Sequence, residues 1–293
     1  MNRQTAEPIR PELLCKITRY ERTPLAGSVR ESPIKWDLRV SAVSYLNTWP
    51  LVWGFLKGPG QGTFDFRFDL PAVCADALAN GDADIGLVPC AELDRLGFGY
   101  LPDLGIASTG PVRSILLISR RPFHDIRTLA VDSGSRTSVA LARILLAERY
   151  GVSPVMTRQA PELAEMLSDA DAALIIGDPA LRLDPHSLPY HCLDLGEEWT
   201  KWCGLPMVFA VWAGRREVLT PGVAQAFQES YEWGSERIRE IASEAHRQRG
   251  FEEELATDYL TRHIEYRLTA RHREGLELFR ERARAFEIEQ SMV

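Results

Sequence analysis

The chain has 293 residues, 45% hydrophobic and 26% charged, with 34 Lys+Arg against 41 Asp+Glu for a net charge of −7. These fractions are those of a globular protein and exclude a disordered, collagen-like or repeat-array chain; the length suits about two domains. No run of about 18 apolar residues occurs, so no membrane span is expected, and the acidic balance argues against a general nucleic-acid binder.

Five scattered cysteines (Cys15, Cys74, Cys90, Cys192, Cys203) show no C-x-x-C spacing, which points to reduced thiols rather than a disulfide framework or a zinc site. The N-terminus has no apolar core of a secretory signal, so a cytoplasmic location is expected. Residues 1–36 are polar and interrupted by Pro8, Pro11, Pro24 and Pro33, which reads as a loosely ordered extension with at most a short helix at ELLCKITRYE.

From Leu38 short strands and helices alternate. DLRVSAVSY reads as a strand and PLVWGFLKG as a helix stopped at Gly58 and Pro59; FDFRFDLP alternates like a strand, AVCADALANG is an amphipathic helix ending at Gly81, and DIGLVP is a buried strand. GIASTGPVRSILLISRRP is a long β stretch broken at Gly110-Pro111. TLAVDS is a strand, SRTSVALARILLAERYG a helix, PVMTRQ a strand, PELAEMLSDA a helix, and AALIIGD and YHCLDLG are strands. GLPMVFAVWAGR returns as an apolar strand. After Pro221 the pattern is helical: VAQAFQESYEWGSERIREIASEAHR, EELATDYLTRHI and ARHREGLELFRERARAF.

Such alternation predicts an α/β protein with parallel sheets covered by helices. Two β/α blocks joined by two long β stretches predict two lobes: 37–118 with 207–293, and 119–206, with a ligand cleft between them outside the strand ends.

Candidate site residues therefore lie between strand ends and helix starts. In Ser44-Tyr45-Leu46-Asn47-Thr48-Trp49-Pro50, Asn47 or Thr48 serves either as a helix cap or as a donor facing the cleft. Ser135, Arg136, Thr137 and Ser138, with Gly134, put three hydroxyls and an arginine at a helix start, more than a cap needs and suited to a carboxylate or phosphate. Ser108, Thr109, Gly110, Arg113 and Ser114 form either a hinge bend or a set of donors beside a close backbone approach. Asp178 is a cleft acid or a turn residue before Pro179, and Cys90 is a ligand contact or an inert buried thiol. The six histidines have no metal-binding spacing, His186 and His191 beside Cys192 included, and neither a G-x-S-x-G nor a G-x-G-x-x-G motif occurs. Trp199, Trp202 and Trp212 are read as packing residues.

Taken together, RVSAVSYLNTWPLVWGF, DADIGLVPCAEL, GIASTGPVRSILLISR, DSGSRTSVALARILL, AALIIGDPAL and DLGEEWTKWCGLPMVFAVWAGR resemble the chorismate dehydratases, the enzymes that open the futalosine route to menaquinone. The resemblance runs from Leu38 to the C-terminus. It implies the two-lobed, type II periplasmic-binding-protein-like fold and the loss of water from chorismate to give 3-[(1-carboxyvinyl)oxy]benzoate, with no cofactor or metal. Since no His, Glu or Lys stands at these motifs as a base, the expectation for that reaction is that the substrate's enolpyruvyl carboxylate takes the C3 proton, that Asn47 orients the ring and hydrogen-bonds the departing hydroxyl, and that Ser135, Arg136, Thr137 and Ser138 anchor a carboxylate. Where many relatives carry Ser, this chain has Cys90. The sister naphthoate synthase of that pathway, which opens with a different loop, is disfavoured by SYLNTWP. A non-catalytic anion-binding protein of the same fold is the rival from another class. The helical C-terminus could pair two chains or pack on the first lobe.

Overall fold

A computed structural model gives the fold of residues 35–291, with side chains described through Phe286. The expected extension, its short helix and Cys15 lie outside the described residues, apart from residues 35 and 36. From there the elements follow in close succession. Strand β1 (Arg39–Val43) is buried after its first residue and runs through a 3₁₀ turn (Leu46–Thr48) into α1 (Trp49–Lys57), with Pro50 in the first turn. Then come β2 (Asp65–Asp69), α2 (Pro71–Asn80), β3 (Ile85–Pro89), α3 (Leu93–Leu96) and β4 (Gly99–Ser108). Gly81, at φ +77°, closes α2 in the left-handed region where glycine carries no side-chain penalty.

A second block follows: β5 (Ile115–Ser119), β6 (Thr128–Asp132), α4 (Thr137–Tyr150), β7 (Val155–Gln159), α5 (Leu163–Asp169), β8 (Ala172–Ile176), α6 (Gly177–Leu181), β9 (His191–Asp194) and α7 (Leu195–Cys203). The chain returns through β10 (Met207–Gly214) to α8 (Pro221–Ser235), α9 (Ile238–Arg249), α10 (Glu253–Asp258), a π-helical turn (Tyr259–His263), β11 (Glu265–Arg267) and α11 (Ala270–Ser291).

The strands form two sheets, β11-β4-β10-β3-β1-β2 and β7-β6-β8-β5-β9. Both are mixed, which corrects the expectation of parallel sheets. β1 runs parallel to β2 and β3, but β10 is antiparallel to β3 and β4, and β5 is antiparallel to β8 and β9. The cause is the double crossing. One segment leaves the first sheet after β4 and another re-enters it as β10, and the two lie side by side running in opposite directions. β5 pairs along its whole length inside the second sheet, so a division after residue 118 would cut it; the chain changes sheet within residues 109–114.

Other departures have local reasons. The helix expected over 223–247 breaks at Glu236 and Arg237, where Arg237 leaves helical geometry at φ −123°, ψ 30°. Just before the break, Gly234 lies against the Pro50 carbonyl, and Ser230 donates to Leu51 O at 2.9 Å, so α8 packs too closely on α1 for a side chain at 234. Helix α7 was hidden because its cap, Asp194, was absorbed into the strand reading of YHCLDLG. The stretch EELATDYLTRHI is helical only to Asp258 before the π turn, and EYR pairs with β4 as β11. Trp199 and Trp212 are fully buried, as packing residues should be. Among the described residues no helix is long and apolar enough to cross a membrane.

Candidate functional site

A cavity lies between the sheets, at the carboxyl ends of β1, β3 and β8 and at the start of α4. Val43, Leu87, Pro89, Ile106, Phe209 and Ala210 line it from the first sheet, and Val112, Ile115, Ile176 and Gly177 from the other side. The walls are mostly apolar with a few polar groups, the usual build of a small-molecule site. Those groups are Tyr45, Asn47, Thr48, Ser114, Ser135, Arg136, Thr137 and Ser138.

Seven of the expected site residues thus meet at one cavity: Asn47, Thr48, Ser114, Ser135, Arg136, Thr137 and Ser138. Neither Asn47 nor Thr48 caps α1, since no side-chain cap bond forms there. Asn47 instead donates from Nδ2 to the Tyr259 hydroxyl at 3.1 Å, and that hydroxyl donates to Ser114 Oγ at 2.8 Å. Thr48 Oγ1 and Ser135 Oγ are buried and find no partner within the protein. A buried hydroxyl without a partner costs about 1–3 kcal/mol, and both of these belong to residues that line the cavity. Ser135 stands just before the fourteen-residue helix α4, whose first amides favour an anion.

Other expectations are corrected. The Arg136 side chain is not free for an anion: it binds both oxygens of Asp76 at 2.8 Å and Glu92 at 2.8 Å, tying the start of α4 to α2 and to the turn after β3. Thr137 Oγ1 donates to Phe209 O at 3.1 Å and accepts from Ala91 N at 3.2 Å, a second tie across the cavity's edge. Asp178 does not line the cavity; Oδ1 accepts from Leu46 N at 2.8 Å and Oδ2 pairs with Arg249 at 2.6 Å. Cys90 is buried behind the wall, and burial pushes its thiol well above the ordinary range, so it neither lines the cavity nor offers a thiolate. Ser44 and Gly110 likewise stand outside the lining. Ser108 turns away to donate to Gly110 O at 3.2 Å, while the Gly110 amide donates to Thr200 Oγ1 at 2.9 Å.

The crossover 109–114 is held by a carboxylate that sequence reading passed over. Asp194 accepts from Gly196 N at 3.0 Å and Glu197 N at 3.1 Å as the cap of α7, and also from Val112 N at 3.0 Å and Arg113 N at 2.6 Å. Those last two bonds hold Arg113 at φ 68°, the one positive φ of a non-glycine residue among the described residues. Burial pushes the Asp194 carboxyl upward while the four amides pull it down. Burial also pushes the phenols of Tyr45 and Tyr259 far above their usual range, so both are neutral hydroxyls at neutral pH. Tyr45 packs its ring over Gly177, whose φ is +64°. Tyr45 stands inside the SYLNTWP segment with no role assigned to it, and no motif marks Tyr259, since aromatic residues flank many cores.

With this geometry in place, comparison with known proteins is informative. A family model described as menaquinone biosynthesis matches residues 38–285. The chain belongs to this menaquinone biosynthesis family. It is 34% identical over 257 residues to the chorismate dehydratase of Thermus thermophilus, covering 81% of this chain and 92% of that one. Among solved structures it is similar to protein AF1704 from Archaeoglobus fulgidus, at 17% identity and TM-score 0.71 over 86% of this chain and 98% of that one. It is also similar to the periplasmic aliphatic sulphonate binding protein SsuA from Escherichia coli, at 15% identity and TM-score 0.61 over 87% of each chain. At such identities the likeness concerns the fold, which is that of the periplasmic binding proteins.

Within this family member, the lining contains neither Asp, Glu, His, Lys nor Cys among the described residues. Its one charged side chain, Arg136, is already neutralised by two carboxylates. The lining therefore presents hydroxyls, an amide and helix-start N–H groups, and brings no carboxylate, imidazole or amine to act as a base.

Proposed function

We propose that this protein eliminates water from chorismate to give 3-[(1-carboxyvinyl)oxy]benzoate, acting as a carbon–oxygen lyase on a step toward menaquinone in the cytoplasm. The observation that carries the reading is the pair of unpartnered buried hydroxyls, Thr48 and Ser135, beside Asn47 in an apolar cavity of a chain related to a chorismate dehydratase. A dicarboxylate needs donors at two places, and the cavity has them at the α1 and α4 starts.

In this reading one carboxylate sits on Ser135, Ser138 and the first amides of α4, with Thr48 and Asn47 at the ring. The C3–H electron pair becomes the new ring double bond, the C4–O bond breaks, and the hydroxyl leaves with a hydrogen bond from the second N–H of Asn47. The proton goes to the enolpyruvyl carboxylate of the substrate and ends in the water that departs, so no protein base is required. Aromatisation supplies the driving force, and fixed geometry with fixed dipoles supplies the rate. The two sheets would act as lobes of a clamp that divide within 109–114 and again before β10.

The Asn47 variants test this. Asn47→Ala is expected to lower kcat with chorismate by roughly 100-fold or more while the melting temperature stays close to the wild-type value. Full turnover by Asn47→Ala would remove the residue from the mechanism. Chorismate that stabilises the wild-type chain but emerges unchanged would leave a binding protein instead.

A further inference from the structure

Tyr259 lies outside the cavity lining, yet its hydroxyl joins two groups that do line it. It is the first residue of the π-helical turn after α10, it is 1% exposed, and it comes from the far end of the chain, 212 residues after Asn47 and 145 after Ser114. A π turn is rare and often marks a functional position. Here it places a phenol where an ordinary core position would take Phe or Leu.

The hydroxyl has one proton to give, and that proton goes to Ser114 Oγ. Toward Asn47 it presents lone pairs only. The amide must therefore turn its Nδ2 to the phenol, which directs Oδ1 and the second N–H away from Tyr259. At the other end, Ser114 Oγ has accepted a proton and keeps its own to donate. The three groups form one polarised chain, Asn47 to Tyr259 to Ser114, with both ends at the cavity. Without the phenol oxygen, nothing in this chain distinguishes the two faces of the amide, which differ by a half-turn that exchanges donor for acceptor.

We infer that Tyr259 is a positioning residue, which fixes the Asn47 amide in one of its two orientations and points the Ser114 hydroxyl proton toward the ligand. Its catalytic consequence rests on the role proposed above for Asn47. Tyr259 itself touches neither the cavity nor, in this account, the substrate.

Tyr259→Phe keeps the ring and removes the oxygen. Two readouts separate the inference from the dehydratase reading. The first is the ¹⁵N–¹H signal pair of the Asn47 side-chain amide, assigned with Asn47→Ala and followed without substrate; it should lose its dispersion and approach the averaged signals of an unrestrained amide. The second is steady-state turnover of chorismate. There kcat should fall by roughly 10- to 100-fold, the cost of a misplaced group, with substrate affinity changed by no more than about 3-fold, because no ligand contact is lost. Unmoved amide signals, or kcat within about 2-fold of wild type, overturn the inference while leaving the dehydratase reading intact. A wild-type chain that leaves chorismate unchanged sinks that reading, and the amide signals then decide the restraint alone. Should Tyr259→Phe fail to fold, Ser114→Ala takes its place. It leaves the phenol without its acceptor, so its proton can turn to Asn47 Oδ1, and unmoved amide signals there also overturn the inference.

Discussion

Gly177 has to be glycine for two separate reasons. Its φ is +64°, and a Cβ at that position would be driven into the Tyr45 ring. Because Gly177 follows β8 and Tyr45 follows β1, this is where the two sheets touch across the cavity. Gly177→Ala is expected to hold the sheets apart, raising KM for chorismate by roughly 10-fold or more and costing about 1–3 kcal/mol of stability by overpacking and strain. A kinetic titration beside a urea melt checks both, and an unchanged KM would deny that the contact shapes the site. The sequence drew attention to Gly177-Asp178 as a strand-end pair, but credited the acid rather than the glycine. Asp178 looked like a cleft acid because position within a motif cannot reveal a partner such as Arg249, 71 residues away. The same limit hid Arg136, whose two carboxylates come from 44 and 60 residues upstream. By contrast Asn47, Ser135 and Ser138 line the cavity as the junctions after β1 and β6 suggest, although the same kind of junction leaves Ser44 and Asp178 outside it.

At the scale of elements, α7 controls the crossover. Its cap, Asp194, satisfies two amides of its own helix and two of residues 112–113. Asp194→Ala would leave four N–H groups without an acceptor and is expected to cost about 3 kcal/mol or more, read as a lower urea midpoint. It should also release the positive φ at Arg113, which displaces Val112 and Ser114 from the cavity and weakens substrate binding. Thr220→Ala is the matched control. Thr220 caps α8 by accepting from Val223 N at 3.3 Å, far from the cavity, so its loss should cost about 1 kcal/mol with no change in turnover. Comparable effects of both substitutions on kcat would contradict the special place given to α7. Strand and helix order was readable from periodicity and glycine stops. The strand direction of β10, the π turn and β11 were not, because each is decided by a neighbour distant in sequence rather than by local pattern.

Across the whole molecule, polar ties link the segments that carry the two sheets at two separate places. At one, Arg136 meets Asp76 and Glu92; at the other, Asp178 meets Arg249, whose guanidinium also lies 4.8 Å from the centre of the Trp49 ring. The Asp178–Arg249 pair is largely buried, with side chains 16% and 18% exposed, so removing one partner strands the other. Asp178→Ala is expected to destabilise by about 3 kcal/mol and to weaken chorismate binding, whereas Arg249→Ala added to it should cost much less than its own single effect. Simple additivity in that double-mutant cycle would mean the pair is not a unit. In the proposed reading the dianion is held by hydroxyls, an amide and helix-start N–H groups, since the one cation of the lining, Arg136, is already paired with two carboxylates.

Whether this cavity turns chorismate into an aromatic ether by loss of water alone is open to one simple experiment. The purified full chain, mixed with chorismate and followed by mass spectrometry, tests it most directly. A product lighter than chorismate by one water is expected, with its enolpyruvyl group intact and aromatic absorption rising in step. Chorismate recovered unchanged, with no shift in the melting temperature of the protein, would contradict that expectation.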